Sequence, residues 1–233
     1  MYFNMAKILI TKKDHIEDFV APLEAAGHQV QAVNFLEYRS VTFEEIPEVD
    51  CLFFYSRKGV DYFFKQVEEK DIPLPDQVKF AALGANTAES LKEYVSAVDF
   101  IGEGRPASTF KEFKEWFGGD TVLAVRADNS LNRLRQVTGV DWKLFDLVVY
   151  SNEIKESVNF ESHDLAVLTS PLNAKAYFKF QEPPLPCLVA IGQTTATAVK
   201  TLQNVVCYAS PDPYLDRVAD YTLQLLQKLK VDE

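Results

Sequence analysis

Two short turns carry the clearest chemical pattern in this chain: Gly84-Ala-Asn-Thr-Ala88 and Gly192-Gln-Thr-Thr-Ala196. Each follows an apolar run and precedes residues with helical spacing. A glycine there lets the backbone turn, and Asn86, Thr87, Thr194 and Thr195 then stand at helix starts. Their hydroxyls and amide either cap free backbone N–H groups or help those groups hold an anion, as helix starts at the C-terminal edge of a parallel sheet do. One turn can do both. Ser56 and Ser170 end two matching apolar runs and fit the same pair of roles. Neither has the surroundings of an activated nucleophile: no Gly-x-Ser-x-Gly elbow encloses them, and the scattered His15, His28 and His163 offer no base. Lys12, Arg57, Lys58 and Arg126 also follow strand ends. Four cations at equivalent edges suggest carboxylate or phosphate contacts.

Other patterns point away from common chemistries. Gly102-Glu-Gly104-Arg-Pro-Ala107 matches a dinucleotide fingerprint in letters, but Pro106 and a cap expected at Thr109 would delay the helix beyond the glycines. No Walker-type phosphate loop is present. Asp50 opens its strand instead of ending it, which excludes a response-regulator phosphorylation site. Cys51, Cys187 and Cys207 are far apart and lie in apolar runs, as expected for buried thiols in a reducing compartment. The histidines lack metal-site spacing, so neither metal nor cofactor is expected. A formal charge of −10 argues against nucleic acid and anionic membrane as partners. No apolar run has the length of a membrane span and no signal-peptide pattern opens the chain, so a cytoplasmic protein is expected. Met1 to Asn4 read as a short leader, with Met5 as an alternative start.

The elements that must position these residues alternate throughout. Lys7 to Thr11 reads as a strand, Ile16 to Leu23 as a helix closed by Gly27, and Gln29 to Phe35 as a strand. Asp50 to Ser56, Val78 to Leu83 and Ala97 to Ile101 follow as strands with helices after each, the last opened by a capping box Thr109-x-x-Glu112. The second half repeats the order. Thr121 to Val125 mirrors Lys7 to Thr11, Gly139 and Tyr150 fall 112 residues after Gly27 and Tyr38, Asp164 to Ser170 falls 114 after Asp50 to Ser56, and the second Gly-x-x-Thr-Ala turn falls 108 after the first. Four matches in order indicate an internal duplication of a parallel α/β module. Taken alone, they suggest two consecutive halves. Tyr38 and Tyr150 close matching segments at the passage between modules, where each is either a buried structural tyrosine or a phenol turned toward a cleft.

The order and spacing of Asp50 to Gly59, Leu83 to Ala88, Val148 to Tyr150, Asp164 to Pro171 and Ala190 to Ala196 resemble those of the uroporphyrinogen-III synthase family over nearly the whole chain. Two positions depart from that family: Lys12-Lys13 replaces its usual Arg-Pro, and Leu131 stands where an arginine is usual, with Arg133 nearby as a substitute. The resemblance implies two similar flavodoxin-like α/β domains joined by two strand-like linkers, with a cleft between them. One would be discontinuous, residues 1–35 plus 152–233, and the other would be residues 36–151. It also implies a lyase that cyclises hydroxymethylbilane to uroporphyrinogen III with inversion of ring D and loss of water, in tetrapyrrole and heme biosynthesis. The alternative is a binding or sensing module of the same fold that converts nothing. A flavodoxin-like electron carrier is disfavoured, because Thr11 to His15 lack a phosphate loop. The resemblance further implies a monomer without cofactor, with transient contact to the enzyme that supplies hydroxymethylbilane. Ser56, Thr87, Ser170, Thr194 and Thr195 would grip its acetate and propionate groups, Lys12, Arg57, Lys58 and Arg126 would add charge, and Tyr150 would assist loss of the hydroxyl.

Overall fold

A computed structural model describes residues 5–130, 133–136 and 141–231. Met1 to Asn4, Leu131, Gly139 and the side chain of Arg133, all weighed above, lie outside the described residues. Strands and helices alternate in chain order: β1 (Lys7–Ile10), α1 (Glu17–Ala25), β2 (Gln29–Ala32), β3 (Leu36–Ser40), β4 (Cys51–Phe54), α2 (Arg57–Lys70), β5 (Lys79–Ala82), α3 (Ala85–Leu91), β6 (Phe100–Ile101) and α4 (Pro106–Trp116). After β7 (Thr121–Ala127) and a short 3-10 turn come β8 (Lys143–Ile154), β9 (Leu165–Leu168), α5 (Pro171–Phe180), β10 (Cys187–Ala190), α6 (Gln193–Gln203), β11 (Tyr208–Ala209) and α7 (Leu215–Val231).

The chain divides into two compact units, Met1–Glu37 with Glu153–Glu233, and Tyr38–Asn152. The first unit's sheet has the order β11-β10-β9-β1-β2 and the second β3-β8-β7-β4-β5-β6. Pairing β4, β5 and β6 with β9, β10 and β11, and β7 and β8 with β1 and β2, gives the same strand order in both, with β3 added to one edge of the second. The repeat order in sequence is thus retained, but each fold closes with strands drawn from both halves of the chain. The chain crosses between units within β3 and within β8.

The central strands pair in parallel. Their residues are buried on both faces, which is why β4 reads Cys-Leu-Phe-Phe without alternation. In the second unit Leu52 and Phe54 pack with Val60, Phe63 and Phe64 of α2, while Cys51 and Phe53 pack with Phe110 and Phe113 of α4. Each fully buried phenylalanine contributes roughly 1.5–3 kcal/mol. In the first unit Ile8, Ile10 and Val167 pack with Phe19 and Leu23 of α1 and with Val218 and Leu226 of α7. Of the cysteines, Cys51 is buried, whereas Cys187 and Cys207 are half-buried, less enclosed than their apolar surroundings in sequence suggested.

The expected cap at Thr109 is not one. Pro106 occupies the first turn of α4 and Arg105 precedes it as the N-cap, since proline's fixed φ favours a helix start. Thr109 is fully buried inside the helix and donates its hydroxyl to the Leu83 carbonyl at 3.3 Å. Gly102 therefore does lie against α4's first turn, contrary to the delay expected above: its Cβ would sit 2.1 Å from Thr109 Cγ2. Gly84 is required for a related reason, because its Cβ would lie 2.8 Å from the Gly104 Cα. Gly192 has nothing within 4 Å of that position, so the duplicated glycine is obligatory in one copy only. Gly84→Ala should cost about 1–3 kcal/mol and Gly192→Ala no more than about 0.5 kcal/mol, measured by urea unfolding.

Candidate functional site

In the second unit, parallel pairing sets Phe54 level with Ala82 and with Val125, so Ser56 and Gly84 emerge at one edge of the sheet. Ser56 is the N-cap of α2 and accepts from the Gly59 amide at 3.1 Å. Its oxygen also lies 3.2 Å from the Tyr150 hydroxyl. A register shift between Arg126 and Ala127 sets Tyr150, rather than Val149, opposite Ala127. Such a bulge re-aims the side chains beyond it, and here it brings the phenol to Ser56. Tyr150 is only 7% exposed. Its ring stacks on Tyr62 with centroids 5.2 Å apart and lies 6.2 Å from Tyr38, whose ring carries the Lys58 ammonium 4.3 Å above it. Burial raises the Tyr150 pKa above its ordinary value, opposed by the hydrogen bond with Ser56. The phenol thus keeps its proton at neutral pH and can serve as a hydrogen-bond donor.

The two Gly-x-x-Thr-Ala turns depart from the capping role. Gly84 and Gly192 are themselves the N-caps of α3 and α6, and neither helix has a side-chain cap hydrogen bond. Thr87 and Thr195 point inward at 6% and 3% exposure, with backbone amides bonded to the Gly84 and Gly192 carbonyls. Thr194 is exposed.

In the first unit Leu168 is level with Ala190, so Ser170 and Gly192 share an edge as Ser56 and Gly84 do. Ser170 caps α5, accepting from the Asn173 amide at 3.1 Å. The Asn173 side-chain nitrogen donates to both Ser170 Oγ and Thr169 Oγ1, each at 3.1 Å.

The four cations divide. Arg57 Nε donates to the Asn86 carbonyl at 3.0 Å, linking the starts of α2 and α3 beside Ser56. Lys58 covers Tyr38, as above, and Lys12 follows β1 half-buried. Arg126, expected to add charge toward the substrate, has partners within its own unit. Its Nε donates to Asp146 at 2.8 Å and its Nη1 to the carbonyls of Ala127, Asp128 and Ser130, while Arg135 also binds Asp146. Its Nε and Nη1 are thus engaged by Asp146, which it shares with Arg135, and by carbonyls at the end of β7 and in the loop after it.

The structure thus brings Ser56, Arg57, Thr87 and Tyr150 to one edge of the second unit, and Ser170, Thr194 and Thr195 to the matching edge of the first. Sequence reasoning missed Tyr62 and Asn173. Tyr62 falls one helical turn after Lys58, and Asn173 stands 114 residues after Gly59, at the offset of the Ser56 and Ser170 pair. That Gly-to-Asn mismatch was a usable signal.

A family model described as uroporphyrinogen-III synthase HemD matches residues 17–219. Among solved structures, the chain is similar to uroporphyrinogen-III synthetase from Helicobacter pylori, at 22% identity and a TM-score of 0.66, covering 95% of this chain and 100% of that one. It is also similar to a mutant uroporphyrinogen III synthase from the extremely thermophilic bacterium Thermus thermophilus, at 16% identity and a TM-score of 0.63, covering 96% and 99%. With its family model spanning most of its length and the two-unit fold shared with these structures, the chain belongs to the uroporphyrinogen-III synthase family of tetrapyrrole-forming enzymes.

Proposed function

We propose that this chain closes hydroxymethylbilane to uroporphyrinogen III, inverting the last ring and releasing water, which makes it a cyclising hydro-lyase of tetrapyrrole biosynthesis. The observation that carries the mechanism is the neutral, buried Tyr150 phenol hydrogen-bonded to an N-cap serine at the sheet edge. Tyr150 donates its proton to the departing hydroxyl, which leaves as water, and the proton then lost from that ring's nitrogen returns to the Tyr150 oxygen, so that a reactive azafulvene remains. The azafulvene attacks the substituted carbon of the last ring, and the resulting spiro intermediate fragments and recloses with that ring inverted. Unassisted closure gives the other isomer, so holding the chain in one conformation is most of the catalytic task.

The acetate and propionate groups are assigned to neutral donors at the strand-end edge of each unit. These are the hydroxyls of Ser56, Ser170 and Thr194 and the amides opening α2, α3, α5 and α6, with Thr87 and Thr195 shaping the two turns from inside. Unpaired helix amides suit carboxylates because the anion completes hydrogen bonds the helix cannot make. Arg57, Lys58 and Lys12 add local charge. The same reading makes the protein a cytoplasmic monomer working without a cofactor, in transient contact with the enzyme that supplies its substrate.

Supplying freshly made hydroxymethylbilane and resolving the oxidised porphyrin isomers tests the activity. Type III product is expected. Type I alone, despite binding, would make the chain a sensor. Tyr150→Phe should lower kcat by about 10²-fold or more with a smaller change in KM and a stability loss of about 0.5–1.5 kcal/mol; near-normal turnover would remove Tyr150 from the chemistry. The unfolded chain releases the Tyr150 proton near pH ~10, and the folded chain releases it only at higher pH. The folded state therefore binds more protons in that window, and its stability falls as pH rises through it. Urea unfolding between roughly pH 9 and 11 should show a shallower fall in Tyr150→Phe than in the wild type.

A further inference from the structure

The N-cap serines of α2 and α5 occupy equivalent positions, but their oxygens are not equally occupied. A serine hydroxyl offers one proton and two acceptor positions. Ser56 uses one acceptor position for the Gly59 amide, and either its proton or its second acceptor position for the Tyr150 hydroxyl, where either oxygen can donate. Ser170 has no tyrosine partner among the described residues. Asn173 instead supplies two donors to it, the backbone amide and the side-chain nitrogen, each at 3.1 Å.

The neighbouring threonines determine which end of the Asn173 amide faces Ser170. Thr169 Oγ1 lies 3.1 Å from both the Thr11 carbonyl and Thr11 Oγ1, so its one proton is directed at Thr11 and toward Asn173 it accepts. Thr11 Oγ1 is in turn held by the Thr169 amide at 3.0 Å and by the Val167 carbonyl. Only the NH2 end of the asparagine can satisfy Thr169. That end has one further proton, and it meets Ser170. The opposite end, Asn173 Oδ1, is left buried without a partner, and it is the one such side-chain atom among the described residues. An unpaired buried carbonyl is unfavourable and invites a functional explanation.

We infer that Asn173 is a positioning residue for substrate binding: by filling both acceptor positions of Ser170 it turns that hydroxyl into an obligatory donor, directed away from the protein toward a substrate carboxylate. Ser170 is half-buried, so its proton has an outward path. The second unit obtains a related arrangement differently, with Gly59 in place of the asparagine and Tyr150 on the serine. The duplicated site is therefore specialised: one serine is tied to the proposed proton donor, and the other is devoted to anchoring. This inference rests on the proposed role of Ser170 as a carboxylate grip.

Ser170→Ala, Asn173→Ala, Asn173→Asp and the double variant Ser170→Ala/Asn173→Ala separate the two. Ser170→Ala should raise KM for hydroxymethylbilane about tenfold, the loss of one hydrogen bond to a charged group. Asn173→Ala should raise KM about three- to tenfold with kcat within about twofold, and with a Tm little changed, because the orphaned carbonyl and the two side-chain bonds to Thr169 and Ser170 are lost together. The double variant should bind no worse than Ser170→Ala, since Asn173 acts through that hydroxyl. Asn173→Asp should raise KM further, because a carboxylate there draws the serine proton inward, and lowering pH toward the carboxylate range of about 4 should reverse part of the loss. An unchanged KM in Asn173→Ala, with Ser170→Ala impaired, overturns the inference and leaves the role of Ser170 intact. An unchanged KM in Ser170→Ala removes that role and the inference with it. Additive losses in the double variant also overturn it, because they assign Asn173 an effect of its own.

Discussion

A parallel sheet covered by helices ends all its strands, and starts the helices that follow, at the same edge. The first amides of each helix have no partner within the helix, so this edge collects hydrogen-bond donors that must be satisfied by caps, water or a ligand. Both units here share the same strand order, and each presents a serine-capped helix beside a glycine-capped one. The serines satisfy one amide each. The glycines satisfy none through side chains, which leaves the starts of α3 and α6 open to carboxylates. Everything proposed for substrate binding follows from that constraint, and in that proposal the cations take a secondary part. Arg126 shows why: a guanidinium at a strand end can be absorbed by the fold, here by Asp146 and three carbonyls.

Much of this was legible in the sequence, because periodicity and internal repetition report on backbone geometry. Continuous apolar runs such as Cys51 to Phe54 mark strands buried on both faces, and the repeat offsets place Ser56 with Ser170 and Gly84 with Gly192. The roles of individual side chains were less legible. Thr87 and Thr195 look like caps by type, yet they sit two residues into their helices and turn inward, because a glycine in extended conformation already occupies the cap position. Thr109 lies inside its helix for the same reason, because Arg105 is the cap and Pro106 starts the helix before it. The bulge at Arg126 and Ala127 leaves no composition signal, although it decides that Tyr150 meets Ser56.

The comparison of the two copies is more informative than either alone. Duplication supplies equal serines, and their neighbours differentiate them. Tyr150 adds a protonated phenol to one, and Asn173 adds a fixed donor to the other. The asparagine leaves its Oδ1 buried and unpaired while its Nδ2 serves Thr169 and Ser170.

The central claim is that neutral hydroxyls and amides, rather than a cation clamp, hold a highly anionic substrate on a protein whose own formal charge is −10. The most direct test is the dependence of KM for hydroxymethylbilane on salt, over roughly 0.05 to 0.5 M, where the screening length falls from about 14 Å to about 4 Å. Screening weakens repulsion between protein and substrate, so the account predicts a KM that is flat or decreases as salt rises; a KM that climbs about tenfold across that range would show that ion pairs carry the binding and would contradict it.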